Sequence, residues 1–247
     1  MQNYCMIINK EEHRRRMLQI LADISASPVL SINLGFKGGT CCYFVHGLDR
    51  FSVDLDFDLL NKDKQSIVLS ELDKVLGKYG EVKMEGNVFA RKVKYNDMSA
   101  AVKIDVSDRM EANKLNIYKV ADVVSGLPLK ILVKEDIFAH KLIALIERYE
   151  NKIKNKVIAN RDLYDINYFF EIGWRYNKDI VAMRSGKECR AYLVELKDFI
   201  EKKVDHDNVL EGLGSLVDDK KRNWVKKNLV SEVLKKLAIE IGALGEE

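Results

Sequence analysis

Residues 37–57, KGGTCCYFVHGLDRFSVDLDF, join a glycine pair to a strand-like alternation of apolar and acidic side chains. Apolar residues occupy every second position from Phe51 to Leu59, and the positions between them hold Ser52, Asp54, Asp56 and Asp58. Because the side chains of a strand alternate between its two faces, this pattern predicts one apolar and one acidic face. The stretch is either a turn followed by a half-buried strand or a site for a charged ligand.

The acids of this strand suggest a metal site. Asp54 and Asp56 share one face at a spacing of about 7 Å, and like charges that close repel unless a cation or water relieves them. Mg²⁺ would do so, because it takes oxygen ligands and keeps positions open for phosphate. A solvated edge of an antiparallel sheet is the alternative. In the later strand AAVKIDVSD, Asp105 joins the set if the two strands are neighbours, and three carboxylates suit two-metal phosphoryl chemistry.

The glycine pair precedes this strand and suggests a phosphate site. VLSINLGF is predicted as a strand that ends at Gly38 and Gly39, and TCCYFVHGL as a helix with Thr40 as its cap. Glycines let the backbone N–H groups approach an anion, and the following helix would point its positive N-terminus at the same place. A glycine pair is weakly specific by itself. The order of strand, glycine pair, helix and acidic strand favours the phosphate site.

Periodicity along the rest of the chain predicts an α+β protein. Helices are predicted over residues 9–26 and 63–79, and one or two strands over 82–95. Gly126 and Pro128 interrupt the pattern, and helical periodicity dominates after them. We therefore expect a mixed α/β domain in residues 1–127 and a helical domain in residues 128–247.

Composition limits the class of protein. The 41 basic and 38 acidic residues give a net charge of +3, so any basic surface must be local. No window approaches the roughly 20 apolar residues of a membrane helix, and four scattered cysteines fit a reducing cytoplasm. Cys41, Cys42 and His46 are close in sequence, but adjacent cysteines point to different sides of a helix. We interpret them as packing residues rather than metal ligands.

Five blocks occur in the order typical of one enzyme family. They are KGGT at 37–40, RFSVDLDF at 50–57, KIDV at 103–106, EDIFAHKLIALIER at 135–148 and RDLYDI at 161–166. The chain resembles the AbiEii/AbiGii toxin-like nucleotidyltransferases, within the DNA polymerase beta-type superfamily. It departs from the superfamily in having Thr40 where serine is common, and in a longer segment before Asp54.

The resemblance implies a nucleotidyltransferase-type mixed sheet with flanking helices, followed by a helical domain that completes the active-site cleft. It implies Mg²⁺ or Mn²⁺ on Asp54, Asp56 and Asp105, with Lys141 and Asp162 also catalytic. Nucleotide contacts are implied for Lys37, Gly38, Gly39, Thr40, Ser52 and Arg161. The implied activity moves a nucleoside monophosphate from an NTP to RNA, such as a tRNA 3′ end. The implied context is a cytoplasmic toxin of a type IV-like toxin–antitoxin or phage abortive-infection system, restrained by a cognate antitoxin.

Two other functions remain open from the sequence. The acceptor is a small molecule or a protein hydroxyl in one, and the chain is a non-catalytic RNA-binding module in the other. The intact acids at 54, 56 and 105 count against the second.

The later blocks have structural alternatives of their own. Lys141 falls on the apolar arc of its helix, where its head either reaches a triphosphate or extends past the core to water. First-turn aspartates often complement the helix dipole, which is the interpretation we give Asp165. Arg161 could bind phosphate or the neighbouring acids. Asp58 is interpreted as a solvated strand end.

Two basic clusters lie in the predicted helical domain. Residues 141–161 hold six cations against two acids, a net +4, and residues 220–236 hold seven against one, a net +6. Tyr149 and Trp224 lie among them. The clusters could bind an RNA backbone, although a solvated helix face is the more common role of a lysine run.

Overall fold

The computed structural model describes residues 9–95, 100–109, 113–124, 126–150 and 158–245. It divides into two compact units. The first contains residues 1–47, 51–111 and 118–132, and the second contains 48–50, 112–117 and 133–247. The boundary predicted after residue 127 differs from this division, because residues 128–132 form a strand of the first unit's sheet. The Pro128 that interrupts the helical pattern begins this strand.

The first unit has a mixed seven-stranded sheet with helices. Its helices are α1 (Lys10–Ala26), α2 (Pro28–Asn33), α3 (Gly38–Val45) and α4 (Gln65–Gly77). Its strands are β1 (Leu34–Lys37), β2 (Asp54–Leu59), β3 (Glu81–Glu85), β4 (Asn87–Lys94), β5 (Ala101–Ser107), β6 (Tyr118–Asp122) and β7 (Pro128–Leu132). The order across the sheet is β3-β4-β5-β2-β1-β7-β6. Strand β2 is central, antiparallel to β1 and parallel to β5. The predicted α+β class is confirmed.

Two local predictions before the acidic strand were wrong. Residues 28–33 are helical rather than extended, because Pro28 at the first turn and the Ser27 hydroxyl, which accepts from Leu30 N–H, start a helix. Only residues 34–37 form the strand. Thr40 does not cap α3, since the helix begins at Gly38 and Thr40 lies within its first turn.

The core of the first unit forms as the alternation predicted. Leu55 and Phe57 of β2 are buried, and the Phe57 ring packs against that of Phe36 on β1, with centroids 5.2 Å apart. Ile104 and Val106 of β5 are buried as well. Because every apolar side chain of β2 lies on this face, Asp54, Asp56 and Asp58 are left on the other.

The second unit is helical. It contains α5 (Lys134–Glu150), α6 (Asn160–Glu171), α7 (Lys178–Ser185), α8 (Cys189–Lys203) and α9 (Asp219–Ala243). Helices α5, α6, α8 and α9 match the predicted periodic segments, whereas α7 was not predicted. Its signals are an N-cap Asn177, whose side chain accepts from Asp179 N–H and Ile180 N–H, and a C-terminal Gly186 at φ 66°. Phe138 packs against Phe169 and Phe170 at the centre of this unit.

The three cysteines that the structure describes are buried, as packing residues are. Cys41, Cys42 and Cys189 are buried free thiols, and Cys5 lies outside the described residues. Burial raises the pKa of the Cys41 thiol well above its ordinary value, as expected of a packing residue rather than a reactive one. Within the described ranges no helix is both long and apolar enough for a membrane span.

Candidate active site

Asp56 and Asp105 form the centre of the acidic face. Strands β2 and β5 run parallel, and their register sets Asp56 directly beside Asp105. Residues paired in this way place their side chains on the same face of the sheet. Burial and the negative charge of Asp56 raise the pKa of Asp105, while Lys103, Lys37 and Arg109 act in the opposite direction. The sequence predicted that Asp105 would join the acids of β2 if the strands were neighbours, and they are neighbours.

Asp54 lies on the same face but is not gathered into a ready-made metal centre. It is the first residue of β2 and lies opposite Lys103 of β5. In the described part of the chain, no three or more His, Cys, Asp or Glu side chains are clustered so that they could hold a metal ion. The structure therefore places Asp56 and Asp105 side by side. Asp54 lies on the same face of β2, two residues before Asp56.

The glycine pair is built against this carboxylate pair. Gly38 has φ +77°, a conformation that residues with a side chain rarely adopt. A β-carbon on Gly38 would lie 2.5 Å from Oδ2 of Asp56. Gly38 is the first residue of α3, and Gly39 is buried in the first turn. The positive end of α3 therefore begins beside the Asp56 carboxylate, which is where a phosphate site was predicted.

Thr40 and Ser52 lie in the interior rather than at an open phosphate site. Thr40 is fully buried, and its hydroxyl lies 2.8 Å from Ser52 Oγ and donates to the Asp54 carbonyl. Ser52 is also buried. The predicted contact of these hydroxyls with a nucleotide stays a prediction; their observed role is to attach α3 to the start of β2.

A buried histidine that the sequence did not single out holds the neighbouring carbonyl. His13 Nε2 lies 2.8 Å from the Val53 carbonyl and must donate to it, because a carbonyl only accepts. Its Nδ1 is hydrogen-bonded to the Tyr95 hydroxyl at 2.8 Å. Thr40 and His13 together hold the carbonyls of residues 53 and 54, so the entry into β2 is fixed by side chains from α1 and α3.

Asp58 is not a solvated strand end, as the sequence had suggested. Its exposed fraction is 1%. One oxygen accepts from the Lys37 ammonium, and the other accepts from the Tyr118 hydroxyl at 2.6 Å. The alternation of acids on β2 is correct, but neighbouring strands cover its C-terminal end. Lys37 is therefore part of an ion pair on the acidic face.

Lys141 belongs to a buried network of charges in the second unit. Its ammonium lies 2.5 Å from Asp162 Oδ1 and 2.9 Å from Asp165 Oδ2. Asp165 also accepts two hydrogen bonds of 2.6 Å from Arg50 Nε and Nη2. Both carboxylates have fully buried side chains. Asp165 is thus a buried partner of two cations rather than a surface complement to the helix dipole.

Asp162 stays ionised inside this network. Burial alone raises the pKa of Asp162, but Lys141, Arg148 and Arg161 outweigh burial and hold that pKa well below its ordinary value. The Arg148 guanidinium lies 3.3 Å from Asp162 Oδ2. Arg161 is half-buried at the start of α6, and its binding of phosphate or of the neighbouring acids stays a prediction. Lys152, Lys154 and Lys156 of the first basic cluster lie outside the described residues.

The family model of the nucleotidyl transferase AbiEii toxin, type IV toxin–antitoxin system, matches residues 19–229. The chain belongs to the AbiEii nucleotidyltransferase toxin family. The match contains the glycine pair, all four acids of the β2–β5 face, and Lys141 and Asp162. The predicted resemblance is confirmed, and membership indicates a nucleotidyltransferase toxin.

Two solved structures from Helicobacter pylori share the fold of this AbiEii family member at low identity. The crystal structure of JHP933 from Helicobacter pylori is 19% identical, with 97% of each chain covered and a TM-score of 0.52. A putative nucleotidyltransferase from H. pylori is 18% identical, with 94% of this chain and 97% of that chain covered and a TM-score of 0.55. MenT4, a nucleotidyltransferase toxin from Mycobacterium tuberculosis H37Rv, is 16% identical, with 94% and 99% covered and a TM-score of 0.45. No curated protein matches the sequence significantly.

The burial of the Asp105 carboxylate beside Asp56 predicts a gain of stability when its charge is removed. Because the folded pKa of Asp105 is raised, its ionised form is disfavoured by the fold at neutral pH. We expect Asp105→Asn to raise the melting temperature at pH 7 in EDTA. The gain should disappear at a pH below the ordinary aspartate pKa of about 4, where the carboxyl is protonated in both the folded and the unfolded state. Scanning calorimetry across pH checks this, and a lower melting temperature for the variant at pH 7 would contradict it.

Proposed function

We propose that this protein is a metal-dependent nucleotidyltransferase that moves a nucleoside monophosphate from an NTP to RNA, with a tRNA 3′ end as the favoured acceptor. Its proposed context is a toxin–antitoxin or phage abortive-infection system with a cognate antitoxin. The observation that supports the chemistry best is the adjacent pair Asp56 and Asp105 on parallel strands, against the Gly38 turn that opens α3.

The adjacent carboxylates of Asp56 and Asp105 fit a divalent metal. The donors are carboxylate oxygens, which Mg²⁺ and Mn²⁺ prefer. The raised pKa of Asp105, caused by burial and by the charge of Asp56, shows a pair whose repulsion a cation would relieve. We propose Asp54, Asp56 and Asp105 as its ligands. When bound, such an ion would polarise phosphate oxygens and stabilise the charge of the leaving pyrophosphate.

Groups of the protein itself would bind the phosphates, activate the acceptor hydroxyl and position the acidic strand. Backbone N–H groups at Gly38 and Gly39 would donate to phosphate oxygens at the positive end of α3. Asp105 would help activate the acceptor hydroxyl, because its carboxylate lies beside that of Asp56 on the same face of the sheet. Thr40 and Ser52 would act by fixing the strand that bears Asp54. Catalytic roles for Lys141 and Asp162 and a nucleotide contact of Arg161 remain predictions from the family resemblance.

Transfer of label is the experiment that tests this proposal. The protein is incubated with Mg²⁺ and each α-labelled NTP in the presence of total RNA, small-molecule extract and protein, and the three fractions are separated. We expect label in RNA, mapped to 3′ ends. Label in the small-molecule or protein fraction would replace the RNA acceptor. Absence of label from all fractions with every NTP would contradict the enzymatic proposal and leave an RNA-binding module.

A stripe on α9 is the favoured RNA-binding surface of the second unit. Lys220, Trp224 and Lys227 lie at i, i+4 and i+7, which is one face of a helix, and all three are exposed. Two other members of this basic cluster are less available. Lys221 binds the carbonyl and carboxylate of Asp49, and Arg222 binds Gly214 and Asp219. The two lysines can contact phosphates, and the aromatic ring between them can stack on a base.

We expect Lys220→Gln combined with Lys227→Gln to weaken RNA binding several-fold and to leave NTP binding unchanged. Losing two phosphate contacts should reduce the salt slope of binding to single-stranded RNA by about 1.4. A salt titration of binding to labelled RNA measures both effects. The matched control is Lys197→Gln with Lys202→Gln on α8, which removes the same charge elsewhere on the unit. An equal loss of RNA affinity in both double variants would show that only net charge matters, and it would contradict a specific binding surface on α9.

A further inference from the structure

We propose that Asp58 and Tyr118 are positioning residues that hold the Lys37 ammonium on the acidic face, where it binds a phosphate oxygen of the NTP. The inference rests on the proposed function and deepens it. It assigns roles to Asp58, which the sequence placed in solvent, and to Tyr118, which the sequence did not single out.

Lys37 is placed by its backbone and by its side-chain contact. It is the last residue of β1, lies opposite Asp56 of β2, and immediately precedes the Gly38 turn. Its ammonium donates to Asp58, and its side chain is 24% exposed. An ammonium has three N–H donors. A cation held in this position can therefore keep its bond to Asp58 and still reach a ligand at the start of α3.

Asp58 in turn is held by Tyr118 from a strand at the edge of the sheet. Strand β6 lies beyond β7 and β1 from β2. The Tyr118 hydroxyl nevertheless donates to Asp58 Oδ2 at 2.6 Å. With one oxygen engaged by Tyr118 and the other by Lys37, the Asp58 carboxylate is fixed in direction as well as charge.

Gly35 makes room for this arrangement. A β-carbon on Gly35 would lie 2.3 Å from Cε1 and 2.6 Å from Cδ1 of Tyr118. Real β-carbon contacts are never that short, so the tyrosine ring occupies the space that any other residue at position 35 would fill. The Tyr118 ring therefore lies over Gly35, the one glycine of β1. Gly35 is paired with Asp58 of β2, so the tyrosine hydroxyl can reach the Asp58 carboxylate.

The burial of a charged group at position 58 indicates a positioning role for Asp58 rather than packing alone. Asp58 has 2% of its side chain exposed, so an anion there needs a fixed partner. An apolar residue would fill the same volume without that need. The partner it has is the cation next to the Gly38 turn, and the other carboxylates facing that cation are Asp56 and Asp105. Lys37 thus offers a positive charge to phosphate beside the Gly38 turn, on a face where Lys103 of β5 is already paired with Asp105.

A double-mutant cycle tests the proposal with the full-length protein. Tyr118→Phe removes only the hydroxyl, and Lys37→Met removes only the ammonium. KM and kcat are measured for the NTP that wild type uses best, together with melting temperatures. We expect Tyr118→Phe to raise KM several-fold with little change in kcat, and Lys37→Met to raise it further. In the Lys37→Met background, Tyr118→Phe should have no additional effect on KM, because the hydroxyl acts through Lys37.

Two further variants keep the result interpretable. Gly35→Ala should reproduce the KM effect of Tyr118→Phe by displacing the ring, and Lys37→Arg should recover part of the loss of Lys37→Met. Tyr79→Phe is the matched control, since its hydroxyl binds Asp23 and the Gln19 carbonyl away from this face. Additive KM effects in the cycle, or a wild-type KM in Tyr118→Phe, would overturn the inference. A wild type that transfers no label would instead overturn the proposed function.

Discussion

Asp56→Asn should abolish nucleotidyl transfer while leaving the protein folded. Asp56 is the carboxylate that the structure places both beside Asp105 and against Gly38. A group that stabilises charge in a transition state is typically worth about 10²- to 10³-fold in rate, and a metal ligand should be worth at least that. We expect the same for Asp54→Ala, and both variants should lose growth arrest on expression. The measurement is transfer of α-labelled NMP under single-turnover conditions.

The folded state of Asp56→Asn is checked by its melting temperature in EDTA. Removing one charge from a repelling pair should not lower it. The control is Asp122→Asn, an exposed aspartate on β6 of the same sheet, which should transfer at the wild-type rate. Growth arrest that persists in both Asp54→Ala and Asp56→Ala would contradict the catalytic role of these acids.

Asp165→Asn should cause the largest loss of stability in the second unit. Asp165 accepts two hydrogen bonds from Arg50 and forms an ion pair with Lys141. The side chains of Asp165 and Arg50 are 0% and 2% exposed. Removing one partner of a buried ion pair leaves an uncompensated charge and costs about 3–5 kcal/mol. Urea unfolding followed by tryptophan fluorescence measures the loss. Trp174 and Trp224 are the chain's two tryptophans, and both belong to this unit.

Two further variants test whether the stability lost in Asp165→Asn comes from the buried ion pair. Asp198→Asn removes one partner of an exposed pair with Lys202 on α8, and we expect a change within about 1 kcal/mol. Adding Arg50→Met to Asp165→Asn should recover part of the stability, because the unpaired guanidinium is gone. A loss from Asp165→Asn no larger than that from Asp198→Asn would show that the buried network is not needed for stability.

The sequence predicted the acidic face of β2 because the pattern is local. A strand's two-residue period assigns Leu55 and Phe57 to the core and Asp54 and Asp56 to the other face, whatever the neighbours are. The helices α5, α6, α8 and α9 were predictable for the same reason, since their apolar spacing repeats within each segment. The helix at residues 28–33 was missed because a single Ser-Pro start outweighed an extended-looking apolar run.

The fates of Asp58 and Asp165 could not be read from local patterns. Both were assigned to solvent or to a helix terminus, and both are buried. Asp58 is covered because its partners come from β1 and β6, 21 and 60 residues away in the chain. Asp165 is covered because Arg50 lies 115 residues before it. A local pattern shows which face a charge occupies but not which distant side chain neutralises it.

The sequence by itself determined the family, the α+β class and the order of a glycine turn before an acidic strand. The class and the order of turn and strand depend on residues that are adjacent or at helical and strand spacing, whereas the family resemblance depends on five short blocks in a fixed order. Only the tertiary structure decided that Asp105 lies beside Asp56, that Thr40 points inward, and that Arg50 pairs with Asp165. These depend on strand order and on contacts between residues far apart in the chain, and the burial of charge at those contacts is settled only when the chain has folded.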